Sequence, residues 1–161
     1  MLSKKLIDAI NEQINYELAS GYLYLSMAAY AVDKNYTGSA LFLKKQAHEE
    51  TEHALKFIHF MEEMNARVVL KGISDPQVEF EGFKDIFEKS LAHEKSVTAR
   101  IYKMMDVARE EGQYAATNLL RWFIDEQVEE ESQLAAILGR LSLTDNSPIA
   151  IMMMDEKLGS R

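Results

Sequence analysis

The sequence predicts an all-α protein: a four-helix bundle with one long crossover between its second and third helices and a short C-terminal fifth helix. Three observations predict it. Four long stretches repeat apolar residues at helical spacing. Ala, Leu, Glu, Lys, Gln and Met, all good helix formers, are abundant, and only two prolines and seven glycines interrupt 161 residues. No alternating run rich in Val, Ile and Thr reads as a strand. The length suits a single domain over residues 1–161 with a substantial core.

The first helix is expected over residues 4–33, with Ile7, Ile10, Ile14, Leu18, Leu25 and Ala28 as apolar positions. Asn35, Tyr36, Thr37 and Gly38 read as a turn. The second helix, residues 39–65, carries Leu43, Ala47, Ala54, Phe57, Met61 and Met64. The third, residues 81–111, carries Phe83, Phe87, Leu91, Val97, Ile101 and Met104. A turn near Gly112 leads into the fourth, residues 115–143, with Leu119, Phe123, Leu134, Ile137 and Leu141. Asn146-Ser147-Pro148 reads as a cap followed by proline at the first helical position, opening a fifth helix over 147–157.

Connection lengths give the topology. Tight turns make antiparallel hairpins of helices one and two, and of helices three and four. Residues 66–81 between the hairpins are irregular. Such a stretch reaches roughly 53 Å when extended, and a thirty-residue helix is roughly 45 Å long. The linker can therefore run the length of the bundle and leave helices two and three parallel.

The formal net charge is −8, which argues against a nucleic-acid partner, since binding phosphates needs a basic surface, and suits attraction of cations. Cysteine is absent, so disulfides, thiolate metal sites and cysteine nucleophiles are excluded, and a cytoplasmic location is expected. The N-terminal Met1-Leu2-Ser3-Lys4-Lys5 leads directly into an amphipathic helix, so neither a signal peptide nor a membrane span is expected.

Each core stripe is interrupted by residues able to bind metal. Glu17 lies on the first, Glu50 and His53 on the second, Glu94 on the third, and Gln127 and Glu130 on the fourth. Glu17 precedes Glu50 by 33 residues and His53 by 36; Glu94 precedes Gln127 by 33 and Glu130 by 36. The second set is the first displaced by 77, a shift that also relates Glu49 to Glu126 and Glu52 to Glu129. Measured from turns near Asn35 and Gly112, Glu17, His53, Glu94 and Glu130 each lie 18 residues away. The two hairpins thus carry equivalent constellations at one depth. Uncompensated buried carboxylates cost several kcal/mol each and repel one another. No Lys or Arg lies on these stripes at that level. Two Fe(II) ions would balance four carboxylates, and oxygen ligands with one imidazole suit iron.

With Glu17, Glu50-Thr51-Glu52-His53, Glu94 and Gln127-Val128-Glu129-Glu130 in this order, the whole chain resembles the ferritin family, most closely its bacterial non-haem members. The resemblance implies a ferritin-like bundle that stores iron. It would oxidise Fe(II) with O2 or H2O2 at an intra-subunit di-iron ferroxidase centre. Ferric oxyhydroxide would be deposited inside a homo-oligomeric cage of about twenty-four subunits. A di-iron oxidase or peroxidase acting in a small oligomer is the alternative. Haem is not expected: Gln127 and Glu130 replace a second Glu-x-x-His, and no methionine lies between Glu50 and His53.

The resemblance assigns Glu17, Glu50 and His53 to the first iron, with Glu50 bridging to a second held by Glu94 and Glu130. Gln127 would hydrogen-bond a bound water or oxygen species. Glu49, Glu126 and Glu129, with Glu130 shared, would form a third iron site, and Glu52 an acidic inner surface. Tyr24, two turns beyond Glu17, would be a tyrosine near the irons able to supply an electron, or a core tyrosine bonded to a glutamate. Trp122 is read as packing; His48, His59 and His93 as surface residues or neighbours of the site; Met152-Met153-Met154 as packing at a symmetry axis. Animal heavy-chain ferritins line a threefold channel with two acidic residues near the start of the fourth helix. Thr117 and Leu120 align there, so iron is expected to use another route.

Overall fold

A computed structural model describes residues 1–160 and consists of five helices. These are α1 (Lys4–Asp33), α2 (Thr37–Glu63), α3 (Phe83–Glu110), α4 (Tyr114–Ser142) and α5 (Pro148–Gly159). None is long and apolar enough to cross a membrane among the described residues.

Local chemistry sets the helix ends. Ser3 caps α1 by accepting from the Leu6 N–H, and Ser147 caps α5 by accepting from Ala150, with Pro148 in the first turn. Helices α1, α2 and α3 end alike. Asn35, Asn65 and Gly112 take left-handed φ of 62°, 51° and 62°. The next N–H then reaches back five residues: Tyr36 to Ala31, Ala66 to Met61, and Gln113 to Ala108, each at 2.8 Å.

Helix α2 starts two residues earlier than the sequence pattern indicates. Gly38 belongs to its first turn, because α5 lies directly against it. A Cβ on Gly38 would sit 1.8 Å from the Asp155 carbonyl oxygen, and one on Gly159 would sit 2.9 Å from Gly38 Cα. Helix α2 has no side-chain cap from its own N-cap residue. Asp155 supplies one from α5, its carboxylate accepting from the Gly38 N–H at 3.0 Å and from the Ser39 N–H and Oγ at 2.7 Å. Helix α3 likewise begins at Phe83 rather than near Glu81, after Gly82 turns the chain at φ 107°.

The crossover runs along α1. The Asn11 side-chain amide donates to Arg67 O and accepts from Val69 N–H; Asn15 does the same for Val69 O and Lys71 N–H. Farther along, Ser26 donates to Gln77 O and Tyr30 to Phe80 O. Rising positions on α1 meet rising positions in the crossover, so the crossover is parallel to α1. Helix α3 therefore runs antiparallel to α1 and parallel to α2, as the length of the linker predicts.

Two apolar clusters fill the bundle. One is built around Tyr24, Met27, Leu43, Phe87, Leu134 and Leu158. The other includes Leu6, Ile14, Phe57, Ile101, Leu120 and Phe123, with the Phe57 and Phe123 rings stacked at 4.0 Å. One expectation is corrected here. Leu25 is 50% exposed, and Tyr24 holds the core position beside it. Leu120 is fully buried within the second cluster.

Candidate metal centre

Between the two apolar clusters lies a polar layer. Glu17, Glu50, His53, Glu94, Gln127 and Glu130 are all at most 4% exposed. Each helix of the hairpins contributes to it, because the equal distances from the turns place these residues at one depth. The apolar clusters above and below keep water from those sides, so the fully buried polar atoms of the layer must find a partner within the protein or bind a ligand.

Some atoms of the layer find partners. The Gln13 amide donates to Glu17 Oε1 at 2.8 Å. Glu94 is held at both oxygens: Tyr24 Oη donates to Oε1, and Gln127 Nε2 to Oε2 at 3.0 Å. Gln46 Nε2 donates to Glu130 Oε2 at 2.7 Å. The Gln127 amide nitrogen is therefore spent on Glu94, with its backbone oxygen and Thr98 Oγ1 nearby.

Four others do not. Glu17 Oε2, both oxygens of Glu50 and His53 Nδ1 are buried without a hydrogen-bond partner. Each such orphan costs roughly 1–3 kcal/mol. They are not scattered: Glu17, Glu50 and His53 each offer one ligand atom, all within 4.8 Å of one another. His53 Nδ1 lies 3.8 Å from Glu50 Oε2, while Nε2 on the far side of the ring lies 3.9 Å from Glu126 Oε1. The imidazole thus turns one nitrogen toward the cluster and the other toward the Glu126 carboxylate, beyond hydrogen-bond distance.

The electrostatics follow from burial. Removal from water, then the charge of Glu50, drives the Glu17 carboxyl well above the usual range; the Gln13 hydrogen bond opposes this. Glu50 is raised by burial and then by Glu94. Glu130 is pushed up to about 7, again by burial first and Glu94 second. The Tyr24 phenol is raised by burial and by Glu94. A cation in the cluster would reverse these penalties, releasing protons as it bound.

The layer opens between α2 and α4. A cavity of about 320 Å³ is lined by Gln46, Glu49, Glu126, Glu129 and Glu130, with Leu158 and Gly159 of α5 forming one wall. Burial raises the Glu49 carboxyl as well. Beside it, His53, Glu49 and Glu126 border a second, more open hollow whose other walls include Lys56 and Trp122. Trp122 sets its edge against the His53 ring at 5.7 Å and carries the Lys56 ammonium 4.1 Å above its own ring. Its contacts are those of a packing residue.

The other histidines divide. His48 and His59 are exposed, each beside a glutamate one turn on. His93 is half-buried between α1 and α3, bonded to Ser20 Oγ at 2.7 Å and stacked on Tyr16. Met152 and Met153 are exposed and Met154 is buried. Sequence reasoning missed Gln13 and Gln46. Each is a buried polar residue one turn before a carboxylate, at Glu17 and Glu50, and that spacing is the signal that could have found them.

Comparison with known proteins identifies the family and the fold. A profile of the Ferritin-like domain family matches residues 7–144. The chain is 35% identical over its full length to a bacterial non-heme ferritin of Staphylococcus aureus, covering 97% of that protein. It is 37% identical to that of Staphylococcus epidermidis over the same shares. Among solved structures, an open pore ferritin from the archaeon Archaeoglobus fulgidus superposes with a TM-score of 0.97. It is 36% identical, with 99% of this chain and 98% of that one covered. A humanized archaeal ferritin gives a TM-score of 0.97 at 37% identity, covering 100% and 98%.

Proposed function

The chain belongs to the ferritin family, and on that premise we propose that it oxidises Fe(II) at a paired-iron centre within each subunit and stores the ferric product. One observation carries the reading. The orphaned atoms of Glu17, Glu50 and His53 converge in a buried layer, where Glu94 and Glu130 supply further carboxylates.

In this reading Fe(II) is substrate. Glu17, Glu50 and His53 take one ion, and Glu50, with both oxygens free, bridges to a second completed by Glu94 and Glu130. Four carboxylates balance two divalent ions. Each Fe(II) gives up one electron, and the pair reduces O2 to H2O2, or H2O2 to water, with two protons consumed. Hydrolysis of Fe(III) to oxyhydroxide then releases protons. Gln127 keeps the second position less charged than a fifth carboxylate would, which favours departure of the product. Tyr24, which donates a hydrogen bond to Glu94, would supply an electron to the centre.

Glu49, Glu126 and Glu129, lining one cavity with Glu130, would hold a third iron on the way out. The mineral would collect inside a cage of about twenty-four copies.

Aerobic loading with Fe(II) far beyond two ions per subunit tests the reading, with iron and protein followed together through size-exclusion chromatography. Iron in large excess co-eluting with a cage-sized assembly is expected. Iron halting at about two or three per subunit on a small oligomer would make this a di-iron oxidase or peroxidase instead.

A further inference from the structure

Behind Glu17, on the side away from the α2–α4 opening, a chain of contacts crosses from α1 to α3. Glu17 Oε1 accepts from Gln13 Nε2 at 2.8 Å, and Gln13 Oε1 accepts from Arg100 Nε at 2.7 Å. Gln13 is 1% exposed and Glu17 fully buried. The guanidinium is itself fixed, lying over the Tyr16 ring at 4.3 Å. Tyr16 in turn stacks on His93 at 5.4 Å and hydrogen-bonds Ser96 at 2.6 Å.

A glutamine amide can present either end, and only its NH2 end is tolerated against a carboxylate. Arginine has five donors and no acceptor. It therefore selects the Gln13 carbonyl and leaves the amide hydrogens for Glu17. Without Arg100, Gln13 Oε1 would be a buried orphan acceptor and the amide would lose its preferred orientation. Glu94 and Glu130 are held by Tyr24, Gln127 and Gln46, none of which hydrogen-bonds Gln13 or Arg100; Tyr24 meets the outer end of the chain only through an edge contact with His93 at 6.2 Å.

We propose that Arg100 is a positioning residue for metal binding: by fixing the Gln13 amide it aims Glu17 at the ion shared with Glu50 and His53, and sets the affinity of that position alone. The inference rests on the iron reading above and deepens it.

Co(II), which stays divalent in air-free buffer, is titrated into the assembled protein and followed by its visible ligand-field bands. The bands lost in His53→Ala mark the Glu17–Glu50–His53 position. Arg100→Met is expected to weaken that binding about tenfold, the scale of outer-sphere effects on metal affinity. The rest of the titration stays unchanged. Gln13→Met does the same, and the double variant binds no more weakly than Gln13→Met alone, because Arg100 acts through Gln13. Unchanged binding in Arg100→Met, equal losses at every position, or additive losses in the double variant would each overturn the inference. Should Arg100→Met fail to assemble, Arg100→Lys, which keeps a donor, is compared with Gln13→Met. Near wild-type binding in the first and a tenfold loss in the second are required, and equal binding in both overturns it. A wild-type protein that takes up no Co(II) overturns the iron reading, and this inference with it; uptake without the Arg100 effect overturns the inference alone.

Discussion

Gln46 on α2 donates its amide hydrogen to Oε2 of Glu130 on α4 across 2.7 Å, a neutral donor facing a carboxyl that burial and Glu94 push up to about 7. An unfolded glutamate titrates near 4.3. Folding therefore binds a proton here between those two values. The stability this group contributes is fully present below the unfolded value and is lost as pH rises through about 7. Metal-free protein is expected to melt at lower temperature at pH 8 than at pH 5. Glu130→Gln cannot ionise and should melt roughly 5 °C above wild type at pH 8, with little difference at pH 5. Calorimetry on chelator-treated protein measures this. Equal melting at pH 8 would mean that Glu130 ionises without penalty.

Glu50 and His53 carry most of the orphaned atoms, so their removal should cost function rather than fold. Glu50→Ala and His53→Ala are each expected to slow the rapid phase of aerobic Fe(II) oxidation by at least about a hundredfold. Apo stability should hold or rise, since a costly buried group is deleted. Stopped-flow absorbance of Fe(III) formation reads the rate. Wild-type rates in both variants would remove the paired-iron assignment.

Glu129 is exposed beside the cavity that Glu49, Glu126 and Glu130 line. Glu129→Ala should leave the first oxidation fast while lowering the number of irons bound per subunit by about one. Anaerobic Fe(II) titration by calorimetry counts them. An unchanged count would return this cluster to a solvated acidic face.

The layer was legible because a paired displacement of 77 residues, with equal distances from two turns, needs no knowledge of side-chain direction. The supports of the layer were not. Gln13 and Gln46 look like ordinary polar helix residues until the burial of both is known. Arg100 reaches Gln13 across 87 residues, a contact that no local spacing encodes. Leu25 reads as a core position that its neighbour Tyr24 holds, because a shift of one residue turns a side chain by about 100°. Leu120 aligned with a channel residue, but the packing of α4 buries it. Gly38 read as turn punctuation because its real requirement lies in α5, more than a hundred residues away.

That docking yields a last expectation. Asp155 caps the start of α2, and Asp155→Ala removes three hydrogen bonds from a helix end that has no cap of its own. A loss of about 1–2 kcal/mol follows, the scale of a helix N-cap. Gly38→Ala acts differently. Its Cβ would meet the Asp155 carbonyl oxygen at 1.8 Å, and that oxygen is backbone, so no rotamer change relieves the clash. Helix α5 must lift away while the two hairpins keep their own cores. Circular dichroism should change little, because α5 is 12 residues long. Limited proteolysis should cut Gly38→Ala between residues 143 and 159 at a protease concentration that leaves wild type whole. Because Leu158 and Gly159 wall the cavity beside Glu130, the same variant should bind its most weakly held iron less tightly. Resistance equal to wild type would show that α5 tolerates the methyl group and that the Gly38–Gly159 contact does not hold it.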